Sequence, residues 1–205
     1  SMFFRSEKEK WEAIVDSIIK IHKSGRPLLV GMKNVKNSEM LADYLKEHGL
    51  KFEIINAVRH EEEAAIVAKA GEQNKITIAT NMAGRGTDIK LGEGVVELGG
   101  LHVIATERHE SIRIDRQLFG RCARQGDPGS VQVFTSIDDE ILRRFVPQIF
   151  KKALPPKFNN ITGKILYHYS QKVAELLAAK QRANVLVNDT WLDDALSFSG
   201  SELLF

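Results

Sequence analysis

A chain of 205 residues, 43% of them hydrophobic, can bury one good core and carry an appendage. Its formal charge of +2 argues against nucleic-acid binding through bulk electrostatics, and its single cysteine excludes an internal disulfide framework or a cysteine-based zinc knuckle. No apolar run reaches membrane-spanning length, and the basic and apolar regions of a signal peptide are missing, so a soluble intracellular domain is expected. Ser1-Met2 reads as a remnant of cloning and is set aside from the fold expectation, and the chain reads as a piece of a longer protein.

Trp11, Ile14, Val15, Ile18 and Ile19 recur at helical spacing and predict an amphipathic helix over residues 6–23. Gly25-Arg26-Pro27 punctuates it, and residues 28–32 form a short buried strand. A second helix is expected over 37–48, stopped by Gly49. A strand over 51–55, a helix over 61–70, and strands over 75–80 and 101–106 follow, then a helix over 111–123 and a strand over 131–135. Strands alternating with helices of this length imply crossover connections and a parallel sheet, whose ligand edge is the carboxyl ends of its strands. Pro147, Pro155-Pro156 and Asn159-Asn160 mark a connection. Beyond it, the proline-free stretch 161–188 predicts a helix of roughly 28 residues, about 42 Å long, that packs back on the core or across a second domain.

Two glycine-and-arginine runs carry the chemistry. Thr80-Asn-Met-Ala-Gly84-Arg85-Gly86-Thr87-Asp88 follows a strand, so its glycines open a loop where backbone N–H groups can face an anion. Gln117-Leu-Phe-Gly120-Arg121-Cys-Ala-Arg124-Gln125 spaces two arginines three apart, which predicts one face of a helix. Two guanidinium groups beside a glycine loop suit the charge of a phosphoryl group in transfer. A Gly-x-x-x-x-Gly-Lys-[Ser/Thr] phosphate loop is absent from the sequence. Glu107, Arg108, His109, Glu110 and Asp115 crowd five titratable groups ahead of the arginines, a cluster that suits either rearranging salt bridges or a static network. His60 and His102 lack metal-ligand spacing, and Cys122 reads as a small buried thiol, so no metal site is expected.

Both runs resemble the second nucleotide-binding domain of the SecA preprotein translocase ATPases, within helicase superfamily two. Glu9-Lys10-Trp11, Gly25-Arg26-Pro27-Leu28-Leu29-Val30-Gly31, His60-Glu61, Thr106-Glu107-Arg108-His109-Glu110-Ser111 and Asp139-Glu140 extend the resemblance over residues 5–146. It implies a RecA-like parallel sheet flanked by helices over 3–146, a linker over 147–160, and a long scaffold-like helix and tail over 161–205. It further implies that Arg121 and Arg124 reach toward the γ-phosphate, with Arg85 a finger or sensor in the same site. Gly84, Gly86 and Thr87 would line the nucleotide, and Asp88 would contact its ribose. Gln117 and Gln125 flank the arginines, where a carboxamide can bond a phosphate, link two domains, or simply face solvent. The chain departs from the family pattern at Ala105 and Ala123 for glycine, Cys122 for serine, Ile112 and Phe119 for arginine, and Arg116 for asparagine.

The function implied is the second motor domain of an ATPase driving preproteins through a Sec-type membrane channel. ATP or ADP with Mg²⁺ would be held mainly by an upstream RecA-like domain, and the chain alone would be inactive. The resemblance also implies a cytoplasmic protein associated peripherally with the inner membrane, and nucleic acid is not expected as a partner. Two alternatives stand beside it: the carboxyl-terminal domain of an RNA or DNA helicase, and a non-catalytic docking module that uses the long helix and the apolar residues of the tail.

Overall fold

The computed structural model describes the backbone of residues 1–55, 60–80, 88–147 and 160–201, with side chains except at 60–64, 160 and 192–201. In chain order the elements are β1 (Met2–Phe4), α1 (Glu7–Lys23), β2 (Leu28–Met32), α2 (Val35–Glu47), β3 (Glu53–Ile55), α3 (His60–Lys69) and β4 (Ile76–Thr80). They continue with β5 (Leu101–Ala105), α4 (Ile112–Phe119), β6 (Gly129–Ser136), α5 (Glu140–Phe145) and α6 (Asn160–Ser201). Among the described residues all strand pairs are parallel, in the order β1-β6-β5-β2-β4-β3.

Strand alternation builds two cores from one sheet. Leu28, Val30 and Met32 of β2, Ile76 and Ile78 of β4, Ile104 and Phe134 face α1 and α2, where they meet Trp11, Ile14, Ile18, Leu41 and Leu45. Leu29, Ile55, Ala79, Leu101 and Val103 face the other way, against α3 and the α4 segment, through Val67, Leu118 and Cys122. Each fully buried leucine or isoleucine contributes about 1.5–3 kcal/mol, so the periodicity of the helices and the near-continuous apolar strands specify this layering together. The starts of α1 and α2 are capped locally: Ser6 Oγ accepts the Glu9 N–H at 3.2 Å, and Asn34 Oδ1 accepts the Asn37 N–H at 2.8 Å.

Ser1-Met2, set aside as a remnant, belongs partly to the fold. Met2, Phe3 and Phe4 make an edge strand in register with Phe134, Thr135 and Ser136. Sequence periodicity misses it because three residues are too few to show alternation.

The long helix exceeds the expected 161–188 and runs 42 residues. Its first part packs on the core through Tyr167, Ser170, Gln171 and Ala174, all buried, while Val185, Leu186, Val187 and Trp191 are exposed. Phe3 meets Tyr167 edge-on, with ring centroids 5.9 Å apart. Gly163 permits this approach, since a Cβ there would lie 2.3 Å from the Phe3 ring. The expected linker at 147–160 falls largely outside the described residues, as do the side chains of the tail and of His60.

Candidate functional site

A cavity of about 310 Å³ opens at the carboxyl ends of the strands. Its floor is apolar, from Gly31 and Met32 of β2, Ile55 of β3, Ala79 of β4, and Val67 and Ile89. Its rim carries His109, Arg116, Gln117, Arg121 and Arg124. This is the edge where a parallel sheet presents ligands, beside the point where connections from β2 and β5 diverge to opposite sides. Leu118 anchors α4 over β2: a Cβ on Gly31 would meet Leu118 Cδ2 at 2.4 Å.

The arginines do not share a helix face. Helix α4 ends at Phe119, with Gly120 as its cap, four residues short of the expected end at 123. Ala123 (φ +55°) and Gln125 (φ +53°) then adopt left-handed backbone on either side of Arg124, which opens a 3-10 turn. An α-helix cannot pass through that geometry, so Arg121 and Arg124 reach the same rim from a helix end and from a turn. Local strain of this kind, in non-glycine residues beside charged side chains, accompanies functional sites.

The turn aims Arg124. Its Nε donates to the Gly120 carbonyl at 2.8 Å, and its Nη1 donates to Asp88 Oδ1 at 2.7 Å. The pair is half-exposed, at 36% and 44%. Asp88 therefore orients an arginine here. Arg121 is partly buried, and burial first, then the neighbouring Arg124 cation, lowers its pKa, with Asp88 opposing. Both causes disfavour the bare cation, and an entering anion relieves them. Gln117 sits on the rim; Gln125 is exposed and lies outside the lining. Gly84, Arg85, Gly86 and Thr87 lie outside the described residues.

The titratable cluster resolves into separate bonds, buried around Asp115 and exposed at Glu110. Asp115 Oδ1 accepts the His109 N–H at 2.9 Å, and its Oδ2 accepts from Gln171 Nε2 of α6 at 2.8 Å. Burial raises the Asp115 pKa, and these bonds offset part of that. Burial lowers His109 toward its neutral form and raises Glu107 toward its protonated form. Arg144 donates to Glu110 at 3.0 Å. Cys122 is buried, its Sγ donates to the Phe119 carbonyl at 3.2 Å, and burial raises its pKa, which keeps a structural thiol protonated. His102 is a satisfied core histidine, 2.7 Å from Ser130 Oγ through Nδ1. No cluster of metal-ligating residues occurs among the described residues. Sequence reasoning missed Gln171, because the helix's apolar Ile165, Tyr169 and Leu176 are exposed while Tyr167, Ser170, Gln171 and Ala174 form its buried face.

The parallel sheet flanked by helices is a RecA-like fold. The yeast DEAD-box splicing factor Prp28 matches it with a TM-score of 0.56 at 18% identity, over 82% of this chain and 36% of that one. The family model for the SecA P-loop domain matches residues 1–95 and 92–157, and the chain belongs to that family. Among its relatives, protein translocase subunit SecA 2 of Chlorobium chlorochromatii is 45% identical over 97% of this chain. Protein translocase subunit SecA of Caldicellulosiruptor saccharolyticus is 50% identical over 86% of it. The chain spans 31% and 21% of those relatives' lengths.

Proposed function

We propose that this chain is the second motor domain of a SecA-type ATPase and completes an ATP site held mainly by an upstream RecA-like domain. The observation that carries the reading is the convergence of Arg121 and Arg124 on one cavity rim, with Asp88 holding the second arginine in place. Two guanidinium groups, one partly buried, fit the triphosphate end of a nucleotide better than its base. ATP with Mg²⁺, when bound, supplies the phosphoryl group that passes to water. Arg121 offsets the negative charge that grows on the equatorial oxygens, in a cleft that domain closure makes poor in water. Arg124, fixed by Asp88 and the Gly120 carbonyl, needs little reorganisation to join it. By its place in the sequence, Arg85 is assigned the role of sensor or third cation, with Gly84, Gly86 and Thr87 as contacts to the nucleotide. Gln117 is assigned a phosphate or interdomain contact, and Gln125 a contact across the cleft.

Opening and closing of that cleft moves α6, which extends well past the core and would carry motion to the polypeptide-handling parts of the protein. The cargo is a preprotein, the partner a Sec-type channel, and the setting the cytoplasmic face of the inner membrane. Among the described residues, no helix is long and apolar enough to cross a membrane.

The test is ATP turnover after adding this chain to the separately expressed upstream domain, wild type beside Arg121→Ala. Turnover with wild type and a loss of about 10³-fold or more in the variant is expected; equal turnover in both overturns the arginine's role. One observation favours a second reading, a docking module: the outer half of α6 exposes Leu186 at 65% and Trp191 at 68%. Tight association of the halves without turnover would support it.

A further inference from the structure

Helix α4 has only eight residues, and the side chain of its own N-cap residue does not cap it. Ser111 has extended backbone (φ −106°, ψ 123°) and makes no side-chain cap. Helices this short are marginal unless their ends are held. The missing cap comes from 63 residues away, where Glu175 Oε1 of α6 accepts the Ile112 N–H at 3.2 Å. Gln171 lies one turn earlier on the same face of α6. It is 1% exposed, and its Nε2 donates both to Asp115 Oδ2 at 2.8 Å and to the His109 carbonyl at 2.9 Å. Asp115 in turn accepts the His109 N–H, so the amide closes a ring that ties the first turn of α4 to the chain entering it.

The two holds differ in kind. Gln171 is buried, and releasing it leaves a carboxylate oxygen and a carbonyl without their donor. Glu175 is only half-buried, and its carboxylate can exchange the N–H for water. A cavity of about 670 Å³ bordered by Ser111, Ile114, Ala174 and Glu175 leaves room on that side for the helix to shift. Ile112 and Arg121 bracket α4, so a movement of its first turn reaches Gln117 and Arg121 through a rigid rod of little more than two turns.

We propose that Gln171 and Glu175 are positioning residues for the arginine site: the long helix supplies the cap that holds α4, and its withdrawal loosens that turn and weakens catalysis. The inference rests, for its catalytic part, on the ATP-site reading of Arg121, and it names the element that regulates that site.

Two measurements separate the layers. In the 205-residue chain, Glu175→Ala should speed amide hydrogen exchange at Ile112 and its neighbours through Asp115 about tenfold. Val30 and Ile104 in the central strands should keep wild-type rates, and Glu175→Gln, whose carboxamide oxygen still accepts, should stay within about threefold of wild type. In the motor reassembled with its upstream domain, Glu175→Ala should lower kcat several-fold at unchanged KM for ATP, and Glu175→Gln should restore most of it. Unchanged exchange at Ile112, or exchange faster throughout the sheet, overturns the cap. Normal kcat in Glu175→Ala, where Arg121→Ala is inactive, overturns the positioning role and leaves the ATP site standing. If Arg121→Ala turns over normally, the site reading fails, and the exchange experiment still decides the cap.

Discussion

Two cation–carboxylate pairs of nearly equal length do opposite work in this molecule. Lys10 Nζ meets Asp139 Oδ1 at 2.6 Å with side-chain exposures of 3% and 2%, whereas Arg124 meets Asp88 at 2.7 Å with 36% and 44%. Asp139 is also saturated: it accepts from the Ser136 N–H at 3.0 Å, from Ser136 Oγ at 2.8 Å and from the Tyr167 hydroxyl. Burial, with Asp139 beside it, holds the Tyr167 phenol well above its usual pKa and so keeps it a donor. Every group there is fixed by α1, β6, α5 and α6 at once. Around Arg124, by contrast, the backbone twists through two left-handed residues and the guanidinium stays open to solvent on one side. A buried pair with all lone pairs used joins elements. A half-exposed pair on a strained turn leaves its cation within reach of solvent.

Cutting each carboxylate sharpens that contrast most. Asp139→Ala strands a buried ammonium and should cost about 3–5 kcal/mol of folding stability, read as a large fall in the urea midpoint. Asp88→Ala should cost under about 1 kcal/mol in the same experiment, yet lower turnover of the reassembled motor, because Arg124 loses its orienting partner. Equal stability losses in the two variants would erase the distinction.

A smaller effect probes the strain. Ala123 occupies left-handed space, a conformation that costs an alanine about 1 kcal/mol. Ala123→Gly should therefore raise stability by roughly 0.5–1 kcal/mol, measured by urea unfolding. A loss of stability would mean that the turn is not strained.

The smallest effect is pH dependence. Burial first, and the Arg26 cation second, depress the His102 pKa below 6.5, and burial does the same for His109. The unfolded chain thus binds protons before the folded one does. The stability these histidines contribute is complete above about pH 6.5 and is lost as pH falls through their lowered folded values. Glu107, raised by burial, runs the other way: its contribution is present below its ordinary value of 4.5 and is lost as pH rises through the folded value. The urea midpoint should therefore drop between about pH 7.5 and 5.5, and His102→Gln should flatten that slope. A midpoint that rises on acidification in this window would contradict the sign.

Much of the fold was legible because it is written in short-range patterns. The stripe from Trp11 to Ile19, the apolar run 28–32 and Gly49 as a stop all act within one element. The arginine run was legible as a motif, but its shape was not: spacing predicts a common helix face, and the left-handed Ala123 and Gln125 break it. Those two residues carry no propensity signal for that backbone, which the turn into β6 imposes on them. The edge strand at Met2–Phe4 escaped for a related reason, since its pairing partner lies at the far end of the domain.

By itself the sequence determined the alternation of strands and helices, the two-sided apolar strands, the placement of glycine and arginine after β4 and on the α4 segment, and membership of the SecA family. Tertiary structure alone decided which polar and charged groups meet. Asp88 and Arg124 are 36 residues apart, Asp115 and Gln171 56, and Lys10 and Asp139 129. Periodicity assigns a residue to a face of its own element. Which face it then meets depends on strand order and on how far each helix overruns the sheet, and those follow from packing the whole chain at once.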